Sequence, residues 1–158
     1  MKKTIKVSLL IATLLLTVLS TRAQSQTATA TQSTYKDLIV ENPNADADIK
    51  VVTDFLNSLT YGELDKAKSL LTEKYMAYGP APSDSSTAEQ TLSSWKENYK
   101  IDSNRKVNFV TATFTVVSGN LKGEWVSVGG DYSFTQDAKN VSFPFQYTAR
   151  VTNGKIDI

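Results

Sequence analysis

The 158-residue chain contains no cysteine and no histidine. Without cysteine it has no disulfide, no zinc–thiolate site and no thiol nucleophile, so packing alone must stabilise its fold. Without histidine it lacks the side chain that titrates closest to neutral pH and the commonest metal ligand. Serine–histidine triads, histidine–metal hydrolysis and histidine acid–base catalysis are therefore excluded.

The chain also lacks an excess of basic residues. Of its 17 lysines and arginines, four stand among the first 22 residues, and 17 minus 4 leaves 13 against 16 acidic residues. This acidic balance disfavours nucleic acid as a partner, because nucleic-acid-binding proteins present a basic face. With no phosphate-binding loop and no cluster of metal ligands in the sequence, we expect neither a cofactor nor a metal.

The N-terminal segment has the layout of a secretory signal peptide. Lys2, Lys3 and Lys6 precede an apolar run over residues 7–19, and small residues around Ala23 follow it. The run is shorter than the roughly 20 apolar residues that span a bilayer. We therefore predict a signal peptide over residues 1–23, cleaved after Ala23, and a periplasmic or secreted product. No cysteine follows the cleavage point to accept a lipid, so we expect no membrane attachment after cleavage.

Residues 24–34 contain only small or polar side chains and are predicted to form a flexible linker. The folded domain should then span residues 35–158. Its first helix is indicated by apolar residues that recur on a 3.6-residue period and end before a capping glycine, Gly62. These apolar residues are Ile49, Val52, Phe55, Leu56 and Leu59. A second helix is predicted from Glu63 to about Thr72, and a third from Thr87 to Tyr99.

Beyond residue 104 the apolar pattern changes to a period of two, which is typical of strands. Long antiparallel strands are predicted over residues 106–117, 121–135 and 141–151, and Gly129-Gly130 indicates a bulge within the second. In the third strand the odd-numbered residues, from Val141 to Val151, should share the core face. Helices followed by strands predict an α+β fold.

Six blocks follow one another along the chain: VVTDFLNSL, YGELDKAKSLL, YMAYGPAP, the helix with Trp95, GDYSF and ARVTNGKIDI. In their order and spacing they resemble the NTF2-like (SnoaL-like) superfamily, and the resemblance extends over roughly Ala45 to Ile158. The resemblance implies a cone in which three helices pack on a curved antiparallel sheet around a pocket. It also implies a homodimer formed through the outer surface of the sheet. Members of the superfamily usually continue beyond the GKI turn, so we expect the final strand to be truncated here.

The resemblance to ketosteroid isomerases implies a carboxylate base in the pocket, beside a tyrosine and a protonated acid as oxyanion donors. Asp131 is an acid inside a predicted strand, among aromatic residues, and Tyr132 adjoins it. These two residues are therefore the candidates for catalysis. Neighbours in a strand point to opposite faces, however, which favours a solvent-facing Asp131. The Asp-Arg-Asp set of related hydrolases would need Arg150 to be turned inward by a bulge.

Aromatic residues on the elements that would surround the pocket are the second feature of interest. The candidate ligand-binding residues are Tyr61, Tyr75, Tyr78, Trp95, Tyr99, Trp125, Phe145 and Tyr147. Tyrosine and tryptophan combine apolar area with a polar tip, as a small-molecule pocket requires. The alternative is that these side chains simply fill the core.

Three functions remain open from the sequence. The first is a noncatalytic domain that binds a small apolar or amphipathic molecule. The second is a dimerisation or protein-interaction module with a filled interior, and the third is an isomerase-like or hydrolase-like enzyme that uses a pocket carboxylate. An empty aromatic cavity would favour the first, and a buried Asp131 would favour the third.

Overall fold

A computed structural model describes residues 35–81 and 83–158. The predicted signal peptide and linker, residues 1–34, lie outside the described residues. Helix α1 (Tyr35–Leu38) leads into strand β1 (Ile39–Val40) and helix α2 (Ala45–Tyr61). Helix α3 (Leu64–Ser69), strands β2 (Met76–Tyr78) and β3 (Ser85–Thr87) and helix α4 (Ala88–Asn98) follow. The chain then forms strands β4 (Ser103–Val116), β5 (Gly123–Gln136), β6 (Lys139–Thr152) and β7 (Lys155–Ile156).

The strands form one antiparallel sheet of five and a separate pair. The order in the large sheet is β1-β4-β5-β6-β7, and β2 pairs with β3. Helix α2 packs on the inner face of the large sheet through a core in which every side chain is nearly or fully buried. The members of this core on α2, β5 and β6 are Val52, Phe55, Leu59, Val126, Val128, Ala149 and Val151. The predicted α+β architecture, with N-terminal helices on a curved antiparallel sheet, is confirmed.

The ends of the helices follow from local chemistry. Gly62 takes the left-handed conformation, φ 86°, and its N–H donates to the carbonyl of Ser58, which ends α2 as predicted. Thr87 and Gln90 form a capping box that begins α4, since each side chain accepts the other's backbone N–H. No helix in the described part of the chain has the length and apolar character needed to cross a membrane.

Helix α3 ends at Ser69, earlier than the predicted end at about Thr72. The reason is tertiary: the backbone of Leu70 and Thr72 bonds to Ile156 instead of continuing the helix. The N–H of Ile156 donates to the carbonyl of Leu70 at 2.9 Å, and the N–H of Thr72 donates to the carbonyl of Ile156 at 2.9 Å. The buried Ile156 thus ties the C-terminal segment to the helical layer.

The predicted bulge at Gly129-Gly130 is wrong. Strand β5 pairs with β4 without a break there, Gly129 opposite Val110 and Gly130 opposite Phe109. Gly130 is needed for close approach, because a Cβ at this position would lie 2.0 Å from the carbonyl oxygen of Asn108. The side chains of β5 therefore keep the same alternation along the whole strand.

Candidate functional site: an aromatic cavity

A cavity of about 450 Å³ lies between the helices and the inner face of the large sheet. Seven aromatic side chains line it: Phe55, Tyr75, Trp95, Tyr132, Phe143, Phe145 and Tyr147. Further lining residues are small, aliphatic or uncharged polar, and they are Leu56, Leu59, Thr60, Ala77, Ser86, Thr91, Ser94, Asn98, Val107 and Gln146. This volume is within the range of roughly 300–1,000 Å³ that is usual for ligand pockets.

The aromatic wall is built by strand pairing. On β5 and β6 the inward-facing residues alternate with outward-facing ones, and Tyr132 pairs with Phe143 across the two strands. Their rings lie 5.7 Å apart, and the ring of Trp95 meets Tyr132 edge-on, also at 5.7 Å. These distances are those of favourable aromatic contacts. The wall is therefore a connected cluster that reaches from α4 to the sheet.

Electrostatically the wall is neutral. Within residues 35–81 and 83–158, no acidic or basic side chain lines the cavity. Burial raises the pKa of Tyr75, Tyr132 and Tyr147, that of Tyr147 most strongly, so these phenols stay protonated near neutral pH. Among the described residues the buried hydroxyl of Tyr132 has no hydrogen-bond partner, whereas the hydroxyl of Tyr147 interacts with that of Tyr75.

Four of the eight residues predicted to form the pocket, Tyr75, Trp95, Phe145 and Tyr147, lie on the cavity wall. The other four do not. Tyr61 and Tyr78 are 57% and 66% exposed, because each stands beside a turn and points into solvent.

The side chains of Tyr99 and Trp125 each donate a hydrogen bond to a backbone carbonyl outside the cavity. The Tyr99 hydroxyl donates to the carbonyl of Leu59, and the guanidinium of Arg105 covers its ring at 4.4 Å. Trp125 lies on the face of β5 opposite to the core residue Val126, where its indole N–H donates to the carbonyl of Leu121. The structure therefore corrects the prediction for both residues.

The candidate catalytic pair is not assembled. Asp131 is exposed, on the outer face of the sheet between Asn108 and Pro144, whereas Tyr132 faces the cavity. The alternation of side chains along β5 separates them, as the strand period predicts. Arg150 is not turned inward either, because its guanidinium pairs with Asp157 and lies 5.6 Å from the ring of Trp125. The part of the chain that the structure describes also holds no group of three acidic residues suited to a metal ion.

Sequence reasoning did not assign Phe143, Ser94 and Asn98 to the cavity. Phe143 shares the face of Phe145 and Tyr147, so the period of two was a sufficient signal for it. Ser94 and Asn98 lie four residues apart on α4, and both are exposed although they border the cavity. Small polar residues on a helix are expected to face solvent, so no signal in the sequence marks these two as neighbours of the cavity.

The similarity of this chain to known proteins lies in its backbone structure. No family model matches the sequence, and no curated protein matches it. An LEH-like epoxide hydrolase of M. tuberculosis is similar in structure, with a TM-score of 0.54, 16% identity, and coverage of 71% of this chain and 78% of the other. A Catenulispora acidiphila DSM 44928 protein with a ketosteroid isomerase-like fold, solved in complex with trimethylamine, has a TM-score of 0.53 and 14% identity and covers 68% and 80%.

A third structure is assigned as a SnoaL-like polyketide cyclase from Shewanella putrefaciens CN-32. It has a TM-score of 0.56 and 10% identity, and the match covers 70% of this chain and 84% of the other. Identities this low establish the fold alone. The chain has the NTF2-like fold that its sequence blocks resemble.

Proposed function

We propose that this chain is a noncatalytic domain that binds a small apolar or amphipathic molecule in the aromatic cavity. The observation that carries the proposal is the seven aromatic side chains around an open space of about 450 Å³. An interior of this kind releases ordered water and buries ligand surface when it fills, which stabilises the complex. A module that acted only through its outer surface would not need this cavity.

Catalysis is the weaker alternative. An isomerase-like or hydrolase-like reaction needs a general base within reach of the bound molecule. Asp131 is exposed on the far face of the sheet, and among the described residues the cavity wall carries no carboxylate. The folds of the similar hydrolase and cyclase do not bring their activities with them, because fold alone does not determine function.

The proposal is tested by native mass spectrometry of residues 24 onward, purified from an exporting host without refolding. We expect a small molecule that is retained in the native protein and lost on unfolding. The variant Ala77→Phe places a ring into the cavity and should abolish this retention. Ala47→Phe, at an exposed position of α2 that does not line the cavity, is the matched control and should retain the molecule. Retention by both variants would show that the molecule binds elsewhere, and a wild type without any bound molecule would count against the proposal.

Two further proposals concern where and in what state the domain acts. We propose that it acts in the periplasm or outside the cell, because of the N-terminal pattern of lysines and apolar residues. Fractionation should find the processed chain in the periplasm or medium, and an unprocessed cytoplasmic chain would overturn this proposal.

We also propose a homodimer through the outer sheet face, where Val110 is 78% exposed. Val110→Lys should then shift the native mass from dimer to monomer, and a monomeric wild type would overturn this proposal.

A further inference from the structure

Strand β4 is an edge of the large sheet over most of its length. On one side it pairs with β5 from Lys106 to Val116 without a register shift, and on the other side β1 covers only Thr115 and Val116. Within residues 35–81 and 83–158, no strand pairs with that second side between Lys106 and Ala112. The middle of β4 therefore presents backbone N–H and C=O groups that a further strand could bind.

The contact with β1 shows which backbone groups face this open edge. The N–H of Val117 donates to the carbonyl of Leu38 at 2.9 Å, so Val117 directs its backbone groups toward the β1 side. Backbone groups alternate in direction from one residue of a strand to the next. Val107, Phe109 and Thr111 therefore direct their N–H and C=O groups at the open edge, and the even-numbered residues between them bond to β5.

The open edge is accessible from both faces of the sheet and carries little charge. Val110 and Ala112 on the outer face and Thr111 on the inner face are all exposed. No charged residue and no proline occurs over residues 107–121. Proteins commonly protect an edge strand with lysine, proline or a bulge, and beyond Lys106 this stretch of β4 has none of them. Such an edge is suited to accept an uncharged strand.

The open stretch has definite ends. It begins at Lys106, after the register shift at the start of β4. It ends at Ala112, because at the next residue, Thr113, the side-chain amide of Asn42 reaches the strand and donates to the hydroxyl at 2.7 Å. Phe109 is the midpoint of this stretch. A two-fold axis at Phe109 would therefore let two copies overlap along its whole length.

We infer that two copies of this chain pair antiparallel through β4, about a two-fold axis at Phe109, and so join their sheets into one. Val107 of each copy then lies opposite Thr111 of the other, and Phe109 lies opposite its own counterpart. Each of these pairs exchanges two backbone hydrogen bonds, which satisfies the groups that the open edge presents. Lys106 lies opposite the uncharged Ala112, so like charges do not meet across the pair.

This edge contact is distinct from the proposed homodimer through the outer face, and it does not depend on the cavity. The face contact stacks two sheets, whereas the edge contact extends one sheet sideways. Two such contacts on one chain give a tetramer when their two-fold axes cross at right angles. Val110 would take part in both contacts, so variants at other positions are needed to separate them.

Hydrogen–deuterium exchange of the mature protein, residues 24 onward, tests the inference residue by residue in dilute and concentrated samples. The N–H groups of Val107, Phe109 and Thr111 should exchange about tenfold more slowly when about nine-tenths of the chains are paired. Those of Asn108 and Val110 bond to β5 within the chain, so they should be protected equally at both concentrations. The alternate residues thus serve as an internal control.

Variants locate the contact. Thr111→Pro removes an N–H that points at the open edge and not at β5, so the chain should fold while the proline ring blocks the second copy. The dependence on concentration at Val107 and Phe109 should then disappear. Thr111→Lys places a charge on the edge and should weaken the dependence if the proline variant does not fold. Thr148→Lys, at an exposed position on the outer face of β6, is the matched control and should leave it unchanged.

Three outcomes would contradict the inference. Fast exchange of Val107, Phe109 and Thr111 at both concentrations would mean that the edge stays open. Protection of these residues in a sample with the native mass of a monomer would mean that the chain covers its own edge. Loss of the concentration dependence in Thr148→Lys but not in Thr111→Pro would mean that the copies associate through the outer face. None of these results bears on binding in the cavity, which native mass spectrometry tests separately.

Discussion

The guanidinium of Arg150 donates two parallel hydrogen bonds to the carboxylate of Asp157, Nε to Oδ1 and Nη2 to Oδ2, both 3.0 Å long. The side chains are only 19% and 20% exposed, so water screens the pair weakly. The hydroxyl of Thr152 also donates to Oδ2 at 3.3 Å. These hydrogen bonds connect Asp157, which follows β7, to Arg150 and Thr152 on β6. They lie at the edge of the sheet where Ile156 is buried.

Replacement of Asp157 with asparagine should therefore lower the free energy of unfolding by about 1–2 kcal/mol, since the uncharged amide has one acceptor oxygen for the guanidinium in place of the two of the carboxylate. The control is Asp54→Asn, which removes the Lys50–Asp54 pair at 2.7 Å, whose lysine side chain is 73% exposed. That variant should cost less than about 0.5 kcal/mol. Urea unfolding measures both, and equal losses would mean that the Arg150 contact adds nothing beyond a surface ion pair.

The two adjacent glycines of β5 should respond in opposite ways to alanine. At Gly130 a new Cβ would meet backbone atoms of β4, the Asn108 oxygen at 2.0 Å and the Phe109 Cα at 2.7 Å, whereas at Gly129 it would meet nothing within 4 Å. We expect Gly130→Ala to destabilise by about 1–3 kcal/mol through overpacking. Gly129→Ala should change stability by less than about 0.5 kcal/mol. Thermal unfolding compares the variants, and a harmless Gly130→Ala would mean that β4 can move away freely.

These glycines also illustrate what the sequence could and could not predict. A pair of glycines in a strand signals either a bulge or a close backbone approach, because both need the missing side chain. Only the partner strand decides between them, and its position is a tertiary fact. The period of two, by contrast, is local, and it correctly placed Asp131 and Tyr132 on opposite faces of the strand.

The residues of the cavity, too, could be predicted only where a local period places them. Phe145 and Tyr147 follow from alternation along β6, and Trp95 from the period of its helix. Trp125 has the same kind of local pattern, but the pattern does not say which face is the core, and Arg150 shields it on the other side. Tyr99 is fixed by a hydrogen bond to a residue forty positions earlier, Leu59, which no local pattern reveals.

The buried tyrosines give a third prediction. The hydroxyl of Tyr132 has no hydrogen-bond partner, so Tyr132→Phe removes an unsatisfied polar group and should be neutral or stabilise by up to about 1 kcal/mol. Tyr99→Phe is the matched change, and loss of its hydrogen bond to Leu59 should cost about 1 kcal/mol. Denaturant unfolding of the ligand-free protein distinguishes the two. If Tyr132→Phe cost as much as Tyr99→Phe, an ordered water would have to satisfy the Tyr132 hydroxyl.

The last prediction concerns a buried acid remote from the cavity. Asp48, in the first turn of α2, is 4% exposed and accepts a hydrogen bond of 2.9 Å from the side-chain amide of Asn42. The same amide donates to Thr113 at 2.7 Å, which joins the connector before α2 to β4. Glu124 faces Asp48 from β5 and accepts from Asn44 at 2.8 Å. Burial raises the pKa of Asp48 above its ordinary 3.8, and Glu124 adds to the rise, while the Asn42 hydrogen bond opposes it.

Because the folded pKa of Asp48 is raised, its protonated form stabilises the fold, fully below pH 3.8 and progressively less as pH rises through the folded value. Asp48→Asn keeps the shape and removes the titration. Its free energy of unfolding minus that of the wild type should therefore increase with pH above 3.8 and then level off. Asp46→Asn, an exposed acid in the same turn, controls for the change in net charge. Urea unfolding at a series of pH values measures the difference, and a difference that falls with rising pH would mean that Asp48 is stabilised as the carboxylate.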